Sequence, residues 1–192
     1  MDLGGSTPPV LIVNNVVYGN GGRCIQALSN TNFWVVNNTC HCNGLDTSDY
    51  FGGLVSQNGS NGYFINNISV PWNGRPAYAQ YGSNSSVAYS VDMYMGSNNF
   101  SNSQLIYGDP QFVNPPSFST ASGQYATALA PWLLGDGLKL KSSSPARGRG
   151  IDPSTLSGLP SAIISDLKKY LYKDIIGNAR PAGGPFTLGA YQ

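Results

Sequence analysis

VLIVNNVVY at residues 10–18, FWVVNNTCH at 33–41 and GYFINNISV at 62–70 are one pattern written three times: a short apolar run, a doubled asparagine, a second short run. A weaker copy, VAYSVDMYM at 87–95, carries Asp92 where the second asparagine belongs. The column Asn15, Asn38, Asn67, Asp92 is spaced by 23, 29 and 25 residues. Self-similarity at this period marks a repeat architecture, because units this short bury an apolar face only by stacking. Alternation places Ile12, Val35, Phe64 and Tyr89 on one face of period-2 strands. Val10, Phe33, Gly62 and Val87 join them, as do Val17, Cys40, Ser69 and Tyr94. The asparagine falls between strands, where its amide can bond turn backbone. In stacked copies each amide can also bond the next, which makes Asn15, Asn38, Asn67 and Asp92 a structural ladder. Doubled Asn, frequent Gly and β-branched runs argue against helix.

The same count turns Leu11, Trp34, Tyr63 and Val13, Val36, Ile65 outward. An outward apolar stripe is covered or binds something. The plainer cover is the C-terminal segment; the sharper one is a sugar platform of Trp34, Tyr63 and Trp72. GRCIQAL at 22–28, GGLVSQN at 52–58 and AYAQYG at 77–82 read as the third strand of successive repeats, with 43–52 and 71–77 as loops between. Residues 1–108 form the repeat region. Composition changes after 108, and 109–192 reads as a tail packing on the repeats. Within it SAIISDLKKYLYKD has Ile163, Ile164, Leu167, Tyr170 and Leu171 at helical spacing, which predicts one short helix.

The 192 residues are only 10 % charged, with no glutamate and a net charge of +1. All lysines lie after residue 138, so nucleic acid is a poor partner. No apolar run is long enough to cross a membrane, and Met1–Gly5 does not open a signal peptide. One histidine and three cysteines give no zinc spacing, and no cofactor is expected, calcium having no support. By the column count Cys40 and Cys42 share the inward strand face; Cys24 could pair with either, but buried free thiols are the reading preferred. N-x-S/T patterns at Asn37, Asn58, Asn67, Asn84 and Asn99 are what an Asn- and Ser-rich chain makes by chance.

The repeats resemble right-handed parallel β-helix proteins of the pectin-lyase-like superfamily, in which each coil has three short strands and asparagines stack at one turn. The tail is similar to that of many secreted bacterial β-helix proteins. It runs Gly108-Asp109-Pro110-Gln111-Phe112-Val113, Leu138-Lys139-Leu140, Ser143-Ser144-Pro145-Ala146, Asp174-Ile175-Ile176-Gly177-Asn178-Ala179-Arg180-Pro181 and Gly189-Ala190-Tyr191-Gln192. Arg147-Gly148 and Gln192 depart from that family's apolar-acid pair and terminal glutamate. The resemblance implies an all-β, right-handed parallel β-helix of about four coils with a C-terminal packing tail. It also implies a secreted or cell-surface location. With no cap before the first repeat, further coils upstream in a longer parent chain are expected.

Enzymes on this fold work polysaccharides on the outer coil face. Lyases use Lys, Arg or Tyr bases and hydrolases use close carboxylates. Between residues 10 and 108 there is no lysine, and Asp46 and Asp49 are the one close acidic pair, which makes them the candidate catalytic residues. Arg23, Arg75, His41, Trp72 and Tyr78 are the candidate substrate-binding residues: guanidinium for carboxylate, ring faces for sugar, imidazole as base. The plainer readings are ordinary turn aspartates, solvated arginines and an exposed strand histidine. The expected function is an extracellular carbohydrate-associated module, non-catalytic by itself. The rivals are a polysaccharide lyase or glycoside hydrolase near Asp46 and Asp49, and a structural or adhesive surface module without sugar.

Overall fold

The computed structural model describes residues 2–4, 9–30, 32–58, 61–82, 86–98, 104–118 and 136–192, with backbone alone at 2–4 and 86–90. Asn84, Asn99 and the side chains of Val87 and Tyr89 therefore lie outside the described residues. The strands are β1 (Asp2–Gly4), β2 (Val10–Val13), β3 (Val16–Tyr18), β4 (Ile25–Leu28), β5 (Phe33–Val36), β6 (Thr39–His41) and β7 (Leu54–Gln57). They continue with β8 (Asn61–Ile65), β9 (Ile68–Val70), β10 (Pro76–Tyr81), β11 (Ser86–Ser90), β12 (Met93–Tyr94), β13 (Ser97–Asn98) and β14 (Ile106–Tyr107). One helix, α1 (Ser161–Leu171), follows in the tail.

The strands sort into three all-parallel sheets. The first runs β1-β4-β7-β10-β13, the second β11-β8-β5-β2, the third β14-β12-β9-β6-β3. Each repeat thus sends one strand to each sheet, and strands stack on their counterparts in neighbouring repeats. The register follows the sequence columns: Ile12 pairs with Val35 and Val35 with Phe64. Ile12, Val35, Phe64, Phe33, Cys40, Ile25 and Leu54 fill one buried interior cluster. Gly62 sits in the same column because a Cβ there would lie 2.3 Å from the Phe33 carbonyl oxygen.

The doubled asparagine divides its labour. The first of each pair takes the left-handed turn conformation, with φ of 57° at Asn14, 55° at Asn37 and 58° at Asn66, where asparagine is tolerated. The second stacks. Asn38 Oδ1 accepts from the backbone N and Nδ2 of Asn15 (2.9 and 3.0 Å), and Asn67 Oδ1 accepts likewise from Asn38 (2.9 and 3.0 Å). Asp92 Oδ1 closes the series, accepting from Asn67 N at 2.6 Å.

The second repeat is longer than the first, 29 residues from rung to rung against 23. The surplus lies between His41 and Leu54, where the chain leaves the third sheet for the first. This loop closes on itself: at Gly44, with φ of 88°, a Cβ would come within 2.8 Å of Gly52 Cα.

The tail lies on the second and third sheets. Ile163, Leu167 and Leu171 of α1 pack with Trp34, Val36 and Ile65, so the outward stripe is buried under the helix. Phe112, Leu138, Leu140, Leu188, Ala190 and Tyr191 pack with Ile68 and Met93 on the third sheet. Neither cluster includes a residue of the first sheet. The first-column asparagines anchor this layer. Asn14 Nδ2 donates to the carbonyls of Tyr170 and Lys173 (2.8 and 2.9 Å), and Asn66 clamps the backbone of Ile151 through both amide atoms.

The tail motifs are fasteners. Arg180, buried, donates to the carbonyls of Thr187 and Gly189 at 2.8 Å each. Asp174 accepts from the backbone N of Ile176, Asn178 and Gln192. Gln192 Oε1 still accepts from Arg180 (3.4 Å) and Thr187 N (3.2 Å), so an acceptor survives without the charge.

Two cysteine expectations are corrected. Cys24 and Cys40 form a disulfide across the interior, where strand entry from two sheets brings both sulfurs together. Cys42 does not share the inner face of Cys40. Its φ of 49° reverses the chain just past β6 and sets its thiol beside His41.

Candidate functional site

The outer face of the first sheet differs in chemistry from the other two. Gln26 pairs in register with Val55, Leu28 with Gln57, and Gln57 with Tyr81. Gln26 Nε2 donates to Gln57 Oε1 at 3.0 Å, and Arg23 Nη1 donates to Gln26 Oε1 at 2.9 Å. The loop after β6 lays Phe51 on this surface. Its ring lies 4.5 Å from that of Tyr81 and 5.2 Å from that of Tyr50, with the Arg23 guanidinium 5.0 Å from its centroid. Tyr50 is 61 % exposed. Aromatic rings, amides and a guanidinium thus share one face, a set that can stack on a sugar ring and bond its hydroxyls.

The two candidate carboxylates lie in this loop, each folded into its own turn. Asp46 Oδ1 accepts from Ser48 N and Oγ at 2.8 and 2.7 Å, and these bonds, aided by Arg75, hold its carboxyl below the usual range. Asp49 Oδ1 accepts from Phe51 N at 3.2 Å and lies 3.4 Å from Arg23 Nη2. Asp46, held ionised in this way, suits neither general-acid work nor proton return at neutral pH. Arg75 donates to the Asp46 carbonyl at 3.2 Å, 5.9 Å from the Trp72 ring centroid. Arg23, Asp46, Asp49, Trp72 and Arg75 therefore belong to one group of adjoining loops, in which Asp46 and Asp49 each spend Oδ1 on their own turn and Arg75 bonds the loop backbone.

Two expected binding residues lie elsewhere. Tyr78 is wholly buried, in the inward column with Ile25 and Leu54, and its hydroxyl donates to Asp92 Oδ2 at 2.9 Å. It braces the ladder and meets no solvent. His41 does point out of its sheet, but tail residues cover it: 7 % exposed, Nε2 2.9 Å from the Pro116 carbonyl, edge-on to Phe112. Burial lowers its pKa, which leaves it neutral at pH 7. It lines a cleft of about 370 Å³ with Val70, Met95, Asp109 and Lys141. The alternative platform is closed too, since Trp34 and Tyr63 stack at 4.1 Å beneath the helix.

Sequence reasoning missed Gln26, Gln57, Phe51 and Tyr81. Aligning the third-strand segments as columns would have found all but Phe51, which lies in the loop: it sets Tyr78 under Leu54 and Ile25, and so sends Tyr81 outward with Gln57. Among the described residues, no three His, Cys, Asp or Glu side chains converge as a metal site would need. Among the described residues no helix is long and apolar enough to cross a membrane. No family model, no curated protein and no solved structure matches the chain.

Proposed function

We propose that this chain is a carbohydrate-associated module, built as a right-handed parallel β-helix of the pectin-lyase-like kind, which holds oligosaccharide on the first sheet without turning it over. Three observations favour the solenoid reading: the repeats feed all three sheets, pairing within those sheets is parallel, and an asparagine column runs through one corner. A buried disulfide fits a secreted or surface-displayed protein, because cytosolic thiols are kept reduced.

The observation that carries the binding reading is the Tyr50–Phe51–Tyr81 ring group beside Arg23, Gln26 and Gln57, on the sheet absent from both tail clusters. The non-catalytic half rests on Asp46 and Asp49, whose oxygens serve their own turns. The test is a panel of pectic, alginate and neutral oligosaccharides, with binding followed by calorimetry and turnover by reducing ends and absorbance at about 235 nm, where cleavage by a lyase leaves an unsaturated uronate. Binding lost in Phe51→Ala, with no turnover, is the expected result. Turnover abolished by Asp49→Asn would replace this reading with an enzymatic one.

A further inference from the structure

The cleft over the third sheet is built where the repeats and the tail meet. Its floor is an outward column of the sheet. His41 pairs in register with Val70, and the pairing of Met93 with Ile68 and Tyr94 with Ser69 carries Met95 to the next place along. Its wall is the tail segment 109–115, with Phe112 edge-on to the His41 ring. The space of about 370 Å³ is enough for a small organic molecule.

The polar groups of this cleft are not used up by the fold. His41 Nε2 faces the Pro116 carbonyl at 2.9 Å; a carbonyl only accepts, so this nitrogen carries the proton of the neutral imidazole. Nδ1 is then the acceptor, and it is buried with no donor from the chain. A buried acceptor left in that state costs about 1–3 kcal/mol. At the rim stand Asp109 and Lys141, both exposed. Gln111 sets them there. In the left-handed conformation, with φ of 57°, it donates its backbone N to Asp109 Oδ1 at 2.8 Å and accepts from the Lys141 backbone N at 3.0 Å. Among the described residues the ion pairs lie elsewhere, Arg23 with Asp49 and Lys169 with Asp166. The rim therefore offers one unpaired anion and one unpaired cation.

We propose that this cleft binds a free α-amino acid with an apolar side chain, its ammonium on Asp109 and His41 Nδ1, its carboxylate on Lys141 and its side chain over Val70 and Met95. The rim charges select the class. A neutral sugar leaves both of them without a counterpart, and a simple carboxylic acid or amine answers only one. An α-amino acid carries both charges on one carbon, and its ammonium has donors enough for two acceptors. None of these residues belongs to the face assigned to carbohydrate.

His41 is the single histidine of the chain, so isotope labelling of histidine nitrogen gives one imidazole to read by magnetic resonance. The full chain, with its disulfide intact, is titrated with leucine, methionine and valine in turn. The expected result is a saturable shift of Nδ1 toward its hydrogen-bonded position while Nε2 keeps its proton. Binding should be at least tenfold weaker for isocaproate, which lacks the ammonium of leucine, and for isopentylamine, which lacks the carboxylate. Asp109→Asn keeps the acceptor for Gln111 N and removes the charge, and should weaken leucine binding at least tenfold. Absence of a saturable shift with all three amino acids would overturn the proposal. So would equal binding of leucine and its two analogues, which would reduce the cleft to an apolar slot.

Discussion

The second and third sheets turn their outer faces to the C-terminal tail, whereas the first turns its face to a loop from the repeats themselves. The same repeat builds all three, so the difference lies in the outward columns. On the second sheet these are Leu11, Trp34, Tyr63 and Val13, Val36, Ile65, apolar throughout, and the helix buries them. On the first sheet the outward columns mix Gln26, Gln57 and Tyr81 with Leu28, Val55 and Ala79; Gln26 bonds Gln57, Tyr81 meets Phe51 of the repeat loop, and Gln26, Val55 and Ala79 are buried without taking part in either tail cluster. Outward chemistry therefore goes with what covers each side of the stack: the tail where the columns are apolar throughout, a loop of the repeats where amides and a tyrosine are mixed in.

The contrast can be broken most severely from the covered side. Leu167 is fully buried on the inner side of the helix, so Leu167→Ala should cost about 2–5 kcal/mol. In a chain of this size that is a fall in Tm of roughly 5–15 °C, with dye binding as the stripe uncovers. Next comes the staple joining the two kinds of side. The Cys24–Cys40 disulfide ties the approach to the first sheet to the third, across 16 residues of sequence. Replacing both cysteines by alanine should cost about 3 kcal/mol in chemical denaturation.

Asn38→Ala should cost about 1–3 kcal/mol by leaving Asn15 N and the Ile12 and Val36 carbonyls short of a partner. A deletion within the ladder should weaken covered and open faces alike, seen as uniform acceleration of hydrogen exchange in all three sheets.

Stability should also depend on pH through Asp92. Burial raises the Asp92 carboxyl from its ordinary 3.8 to about 7, against the bonds from Asn67 and Tyr78 that favour its anion. Between those values the folded chain keeps a proton that the unfolded chain has lost. The resulting stabilisation is complete below about pH 4 and disappears as pH rises through about 7. The denaturation midpoint should fall across that window, and Asp92→Asn should flatten the fall. The smallest effect belongs to the first sheet. Arg23→Ala removes a partly exposed ion pair and should change stability by about 1 kcal/mol or less, while weakening oligosaccharide binding. A large loss of stability there would make Arg23 a structural bolt and the first sheet no freer than the others.

Much of this was legible because period-2 alternation and a repeated turn leave few registers open. The columns of Ile12, Val35 and Phe64, the rungs Asn15, Asn38 and Asn67, and the helical spacing of Ile163, Leu167 and Leu171 all follow from local pattern. What escaped depends on where distant segments meet. His41 occupies an outward strand position, but only the tail's path, more than seventy residues later, puts Pro116 over it. The two cysteines of the disulfide face each other across an interior whose width no local pattern records. Asn14 and Asn66 read as turn residues, which they are, but their side chains also hold the tail. Asn14 Oδ1 and Asn37 Nδ2 are buried without partners, a matched acceptor and donor in adjacent repeats, where Asn66 and Asn37 do bond at 3.0 Å.

The loop between Gly44 and Gly52 has a consequence for how such a chain can change. Its two ends nearly touch, and it holds the surplus length of the second repeat without shifting any strand pairing or any rung. It is an expansion joint: residues can be added or exchanged there while the frame on either side keeps its register. Foreign sequence grafted between those glycines would be displayed directly over the first sheet, and one scaffold could present many recognition surfaces by varying that single span.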